Sequence, residues 1–125
     1  MEQVVKSTIK LLPTVPREWR WRTQDGTMLR PSVMVTRHLH HTLVMIWHHT
    51  MPEDARVRDY YRLYSFGPFY TKEYMMQAIH VIMAELVSRD DMQPEWVMEL
   101  RRMDEYLNPR AGRLPPTRRL IQGLV

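Results

Sequence analysis

The sequence predicts an α+β fold in which a short N-terminal β-hairpin packs on three to four α-helices, followed by an extended C-terminal arm. Three features of the chain lead to this class. Aromatic and charged side chains alternate beside a turn signal near the N-terminus, and apolar side chains then recur with helical spacing. The last residues are rich in proline and arginine and have no apolar period. An all-α bundle with an irregular N-terminus is the alternative fold.

The hairpin is predicted from the Asp25-Gly26 dipeptide, which is a strong signal for a tight turn between two strands. Because side chains alternate along a strand, Trp19 and Trp21 share one face of the preceding segment and charged residues share the other. Residues 27–29 would return as the second strand. Residues 2–12 fit either a strand or one face of a helix.

Two helices are predicted between Pro31 and the aromatic stretch that ends at residue 70. The first begins near Ser32 as N-cap and ends before Pro52, since proline disfavours helix at the preceding residue. Its apolar stripe consists of Val35, Leu39, Leu43 and Ile46. The second would begin at Pro52, with acidic residues at its positive end. Its inner face would hold Val57, Tyr61 and Tyr64.

Two further helices follow, each with the same three- and four-residue spacing of apolar side chains. Thr71 is the predicted N-cap of one, whose core face is Met75, Ile79, Ile82 and Leu86. Pro94 begins the other, and Asn108 and Pro109 end it. The core face of this last helix is Trp96, Leu100, Met103 and Leu107.

The chain divides into a predicted globular domain, residues 1–108, and a basic extended arm, residues 109–125. The formal net charge of +4 is uneven: residues 71–107 hold four basic and eight acidic residues, whereas residues 108–125 hold four basic and none acidic. The arm ends in an apolar anchor of Leu120, Ile121, Leu124 and Val125. This anchor would dock on the acidic helices of its own chain or on a second copy, which would give a homodimer.

Composition excludes several kinds of chemistry. The 125 residues contain no cysteine, so disulfides, thiolate zinc sites and cysteine nucleophiles are ruled out.

The N-terminus lacks the apolar core of a signal peptide, and no apolar run approaches the roughly 20 residues that span a bilayer. We therefore expect a cytoplasmic protein that does not contact membranes.

Histidine is concentrated in one place: five of the six lie between His38 and His49. Helical geometry puts His38, His41 and His48 on one flank, but the first and last would be about 15 Å apart, too far for one metal ion. We expect hydrogen-bonded imidazoles able to respond to pH rather than a metal centre, and no cofactor. Because nucleophile and phosphate-loop motifs are also absent from the sequence, we predict that the protein is not an enzyme. A histidine–metal enzyme is the least favoured alternative.

Two sets of basic residues are candidates for nucleic-acid binding, because arginine contacts phosphates and tryptophan stacks on unpaired bases. The first lies in the hairpin and the second in the arm: Arg17, Trp19, Arg20, Trp21 and Arg22, then Arg110, Arg113, Arg118 and Arg119. The alternative for the first set is that the tryptophans cover the core side of the hairpin while the arginines face water.

A second candidate surface is aromatic. Tyrosine is common at protein interfaces, and eleven methionines add adaptable apolar area. The candidate interface residues are Tyr60, Tyr61, Tyr64, Phe66, Phe69 and Tyr70. The alternative is that both residue types fill a small irregular core.

The favoured prediction is a small accessory regulator that binds nucleic acid or a nucleoprotein complex stoichiometrically. The alternative is an inhibitor or adaptor that binds protein through the aromatic residues and never contacts nucleic acid. In length and in its richness in methionine, arginine and tryptophan, the chain resembles small accessory proteins of phages and prophages.

Overall fold

The computed structural model describes residues 15–109, which form a two-stranded antiparallel hairpin and three α-helices. The strands are β1 (Trp21–Arg22) and β2 (Met28–Leu29), and the helices are α1 (Thr36–Thr50), α2 (Lys72–Val87) and α3 (Pro94–Leu107). Single 3₁₀ turns occur at Pro31–Val33 and Glu53–Ala55. The predictions for residues 2–12 and for the arm beyond Pro109 lie outside the described residues.

The hairpin has the predicted position and turn. Trp21 pairs with Leu29 and Arg22 with Met28. Gly26 takes φ of 90°, a left-handed conformation that favours glycine. Hydrogen bonds from Thr23 and Thr27 fix the turn and hold the pKa of Asp25 at about 2. The local signal for this hairpin was therefore sufficient to locate it.

The core lies mainly between α1 and α2, which form the most extensive contact between elements. Most of its fully buried side chains come from the predicted apolar stripes of all three helices: Leu39, Leu43, Ile46, Met75, Ile79, Ile82, Leu86, Leu100 and Met103. Trp47 is also fully buried, although it was on none of these stripes. Thr71 caps α2 as predicted, since its hydroxyl accepts a hydrogen bond from the backbone N–H of Tyr74. The helical periodicity thus identified most of the buried residues of the three helices.

The helix predicted from Pro52 onward is wrong. Beyond the 3₁₀ turn, residues 56–70 form an irregular segment without a helix. Side chains from two helices bind the backbone groups that a helix would use. Trp47 Nε1 donates to the carbonyl of Ala55, His48 accepts from the N–H of Val57, and Arg102 donates to the Val57 carbonyl. Tertiary hydrogen bonds therefore override a local helix-start pattern.

Three smaller predictions from the sequence are also wrong. Val35 is 68% exposed rather than part of the core, because the 3₁₀ turn delays the start of α1 and makes Val35 its extended N-cap residue. Ser32 lies within that turn and does not cap the helix. Trp96 is only half-buried, and its ring stacks on His40 with centroids 5.1 Å apart.

Between residues 15 and 109, no helix is long and apolar enough to cross a membrane.

Candidate functional site

The exposed side of α1 carries Arg37, His38 and His41, while Leu39 and Leu43 on its opposite side enter the core. The hairpin flanks this exposed side, and the irregular segment of residues 56–70 also contributes to it. Three chain segments distant in sequence therefore meet around one helical surface.

Three adjoining depressions cover this surface, with volumes of about 660, 450 and 40 Å³. His41 lines all three, and His38 lines the two larger ones, so the depressions are neighbours on α1. We call this surface the basic face. Its charged and imidazole side chains are Arg22, Arg37, Arg58, Arg62, His38 and His41, with the buried His40 and His48 beneath.

The basic face carries positive charge that is not paired with carboxylates at its surface. Among residues 15–109, none that lines its three depressions is an aspartate or a glutamate. Arg22, Arg37 and Arg62 make no ion pair with any carboxylate among residues 15–109. Elsewhere, Arg30 and Arg101 are paired with glutamates, whereas the exposed Arg17 and Arg20 have no ion pair with a carboxylate of residues 15–109. The basic face therefore keeps uncompensated positive charge at neutral pH.

Glu99 lies beneath the basic face and organises two of its residues. Its carboxylate accepts hydrogen bonds from His40 Nε2 at 2.8 Å and from the Arg58 guanidinium. Burial raises the pKa of Glu99, but the hydrogen bonds from His40 and Arg58 and the charge of Arg58 outweigh it, so the net pKa is lowered. The side chain of Glu99 is only 13% exposed, so its negative charge is neutralised inside the fold.

Aromatic rings are interleaved with these cations. Tyr61, Tyr64, Phe66 and Tyr70 line the basic face. The Arg62 guanidinium lies 5.5 Å from the ring centroid of Tyr64, within the range of a cation–π contact. The surface thus combines charge with flat apolar groups.

The hairpin tryptophans lie in the core. Trp19 is 9% and Trp21 is 3% exposed, and both rings stack on Tyr74. Trp19 Nε1 also donates a hydrogen bond to Gln77 Oε1 at 3.0 Å. Stacking on an unpaired base, the role predicted for them, is therefore not open to these two rings in this conformation. They cover the core side of the hairpin, as the alternative interpretation states.

The other predicted site residues fall into three groups. Arg22 lines the basic face, whereas Arg17 and Arg20 are exposed away from its depressions. Among the aromatic candidates, Tyr60 is 91% exposed beside Glu53 and Asp59, and Phe69 packs under the Arg22 guanidinium. Four candidates lie outside the described residues: Arg110, Arg113, Arg118 and Arg119.

Sequence reasoning did not single out Arg37, Arg58 and Arg62 as functional residues. Arg37 lies next to His38 and four residues before His41, a spacing that places it with His41 on one side of a helix. Arg58 and Arg62 could not be placed, because their position depends on the irregular course of residues 56–70.

Within the described part of the chain, no group of three or more histidines and carboxylates could hold a metal ion. His40 and His48 are instead engaged in hydrogen bonds, and His38 and His41 are exposed. Comparisons of the chain with protein-family models, with curated proteins and with solved structures found no significant match. The chemistry of the basic face is therefore the basis for a functional hypothesis.

Proposed function

We propose that the protein is a small non-enzymatic regulator that binds nucleic acid, alone or within a nucleoprotein complex, through the basic face. One observation carries this proposal. Arg22, Arg37 and Arg62 each line one of three depressions that share His41, and no carboxylate from residues 15–109 is part of their lining.

Phosphate groups are the ligands that best match this arrangement. Clustered arginines replace the counterions of a nucleic-acid backbone, and the release of these counterions favours binding. Aromatic rings between the cations add stacking surface, which is typical of proteins that bind single strands. The basic face supplies both kinds of group from three separate chain segments.

A matched pair of double variants tests the proposal in a titration of a labelled oligonucleotide followed by fluorescence anisotropy. Arg37→Ala with Arg62→Ala removes two unpaired charges from the basic face. Arg30→Ala with Arg101→Ala removes the same charge from exposed ion pairs outside it. We expect the first double variant to weaken binding roughly tenfold or more because phosphate contacts dominate affinity, and the second to change it little. Equal losses in both would show that net charge alone, and not this surface, governs binding.

Protein binding is the second candidate function, and it rests on exposed apolar side chains. Tyr60 and Leu63 project from the irregular segment, and Val33 and Val35 are exposed before α1. A protein partner held by this apolar area would bind with little dependence on salt. Replacing Tyr60 and Leu63 by serine would then abolish capture of that partner while leaving oligonucleotide affinity unchanged.

A further inference from the structure

The depression of about 450 Å³ is the one in the basic face that the hairpin lines, and it has more aromatic side chains in its lining than the two others. It lies between the hairpin, the centre of α1 and residues 64–67. Its volume is within the range of small-molecule pockets, about 300–1,000 Å³. The following inference rests on the proposed nucleic-acid function and specifies which form of nucleic acid the face accepts.

One part of the lining of this depression is aromatic and apolar. It consists of Met45, Tyr64, Phe66 and Tyr70, and the buried Trp21 also lines it. The ring of Phe66 is only half-buried, and it contacts Tyr70 edge-on at a centroid distance of 5.1 Å. Such walls offer stacking and van der Waals contact to a planar heterocycle.

Hydrogen-bonding groups and cations complete the site. Thr23, Gln24 and Thr42 also line it, and they supply both donors and acceptors. Arg22, His38 and His41 are part of the same lining and carry no carboxylate partner among residues 15–109. A ligand with one aromatic part and one anionic part matches this combination.

Two tyrosine hydroxyls hold the hairpin wall in place. Tyr70 donates to the carbonyl of Arg22 at 2.8 Å. Tyr74 accepts from the N–H of Arg22 at 2.9 Å and donates to the carbonyl of Arg20 at 2.6 Å. Because these bonds link the hairpin to the start of α2, the wall is ordered before any ligand arrives, which lowers the entropic cost of binding.

We propose that this depression takes an unpaired base of a single-stranded nucleic acid, with the adjacent phosphate held by Arg22, His38 and His41. A base within a duplex is stacked between its neighbours and cannot enter without being unpaired. The basic face should therefore prefer single strands to duplexes.

The test measures the affinity of the full chain for three labelled ligands of equal length. They are a single strand, the corresponding duplex, and a single strand made of abasic sites. We expect the ordinary single strand to bind about 5- to 150-fold more tightly than the abasic strand, the range that stacking of one base provides. DNA and RNA versions of the single strand show which sugar is favoured. Since this comparison uses the unaltered protein, it does not depend on the folding of a variant.

Two variants then locate the base. Phe66→Leu keeps apolar volume but removes the ring, and Tyr60→Leu removes an exposed ring outside the basic face and serves as the matched control. Phe66→Leu should remove most of the advantage of the ordinary strand over the abasic strand, and Tyr60→Leu should preserve it. An unchanged advantage in Phe66→Leu would overturn this assignment of the pocket.

The remaining outcomes separate the two hypotheses. Equal affinity for all three ligands, or tighter binding of the duplex, would overturn the base pocket and leave the proposed function of the basic face intact. Absence of binding to every ligand would overturn both.

Discussion

His48 and Val57 are joined by a hydrogen bond in which the backbone N–H of Val57 donates to His48 Nε2 at 3.2 Å. The other ring nitrogen, Nδ1, lies 3.0 Å from the carbonyl of Val44, which can only accept a hydrogen bond. His48 is therefore neutral, with its single proton on Nδ1. Its ring also stacks on Tyr61 at 3.9 Å, so this histidine ties the irregular segment to α1.

We predict that stability falls as pH falls below neutrality. Burial lowers the pKa of His48 below its ordinary value of 6.5, and the charge of Arg58 lowers it further, against opposing effects of Val44 and Glu99. Burial also lowers the pKa of His80. Below about pH 6.5 the unfolded chain then binds more protons than the folded one, so the free energy of unfolding decreases. Urea denaturation at pH 7.5 and at lower pH measures this change.

The variants His48→Gln and His80→Gln divide this pH dependence between the two histidines. Glutamine does not titrate, and each variant should lose part of the decrease in stability on acidification. Protonation of Glu99 does not contribute to this decrease near neutral pH. Because the pKa of Glu99 is lowered, the stability that its carboxylate provides is lost only at more acidic pH. A His48→Gln protein with the full pH dependence of the unaltered chain would refute the role given to His48.

Glu99→Ala should destabilise the fold by about 1–3 kcal/mol, because it removes hydrogen bonds from His40 and Arg58 at a largely buried position. Glu105→Ala is the control on the same helix. Its ion pair with Arg101 is exposed and should contribute no more than about 0.5 kcal/mol. Similar losses of unfolding free energy in the two variants would contradict the structural importance of Glu99.

Leu39→Ala and Val35→Ala test the register of α1. Leu39 is fully buried, so its truncation should cost about 2–5 kcal/mol, whereas exposed Val35 should change stability by no more than about 0.5 kcal/mol. Thermal or chemical denaturation of both variants provides the comparison. A large loss in Val35→Ala would place the start of this helix at the position expected from sequence, before Thr36.

The purified protein should contain no stoichiometric metal, because its buried histidines are engaged with protein groups. Elemental analysis checks this expectation. About one zinc ion per chain, lost in the double variant His38→Ala and His41→Ala, would disprove it.

Local signals predicted much of the fold. The turn dipeptide located the hairpin, and the spacing of apolar residues located the buried faces of all three helices. The segment after Pro52 was mispredicted, since proline followed by two acidic residues is typical of a helix start. Its actual course is determined by Trp47, His48 and Arg102, whose contacts with it no local pattern encodes.

The sequence predicted some residues of the candidate site but not that they lie together. Arg22 was assigned to a nucleic-acid surface and Tyr64 to a protein interface, yet the structure places both in the lining of one depression. They are 42 positions apart in the chain, and only the packing of the hairpin and the irregular segment around α1 brings them together. The periodicity of apolar residues within one helix or strand does not indicate which separate elements contact one another.

The salt dependence of single-strand binding tests the central claim most directly. For a single strand, the logarithm of the affinity falls with the logarithm of salt concentration by about 0.7 for each phosphate contacted. With three to four arginines engaged, we predict a slope of about −2 to −3, and a slope smaller in magnitude by about 1.4 in the double variant of Arg37 and Arg62. The double variant of Arg30 and Arg101 should keep the full slope. A slope near zero in the unaltered protein, or the same slope in both double variants, would contradict it.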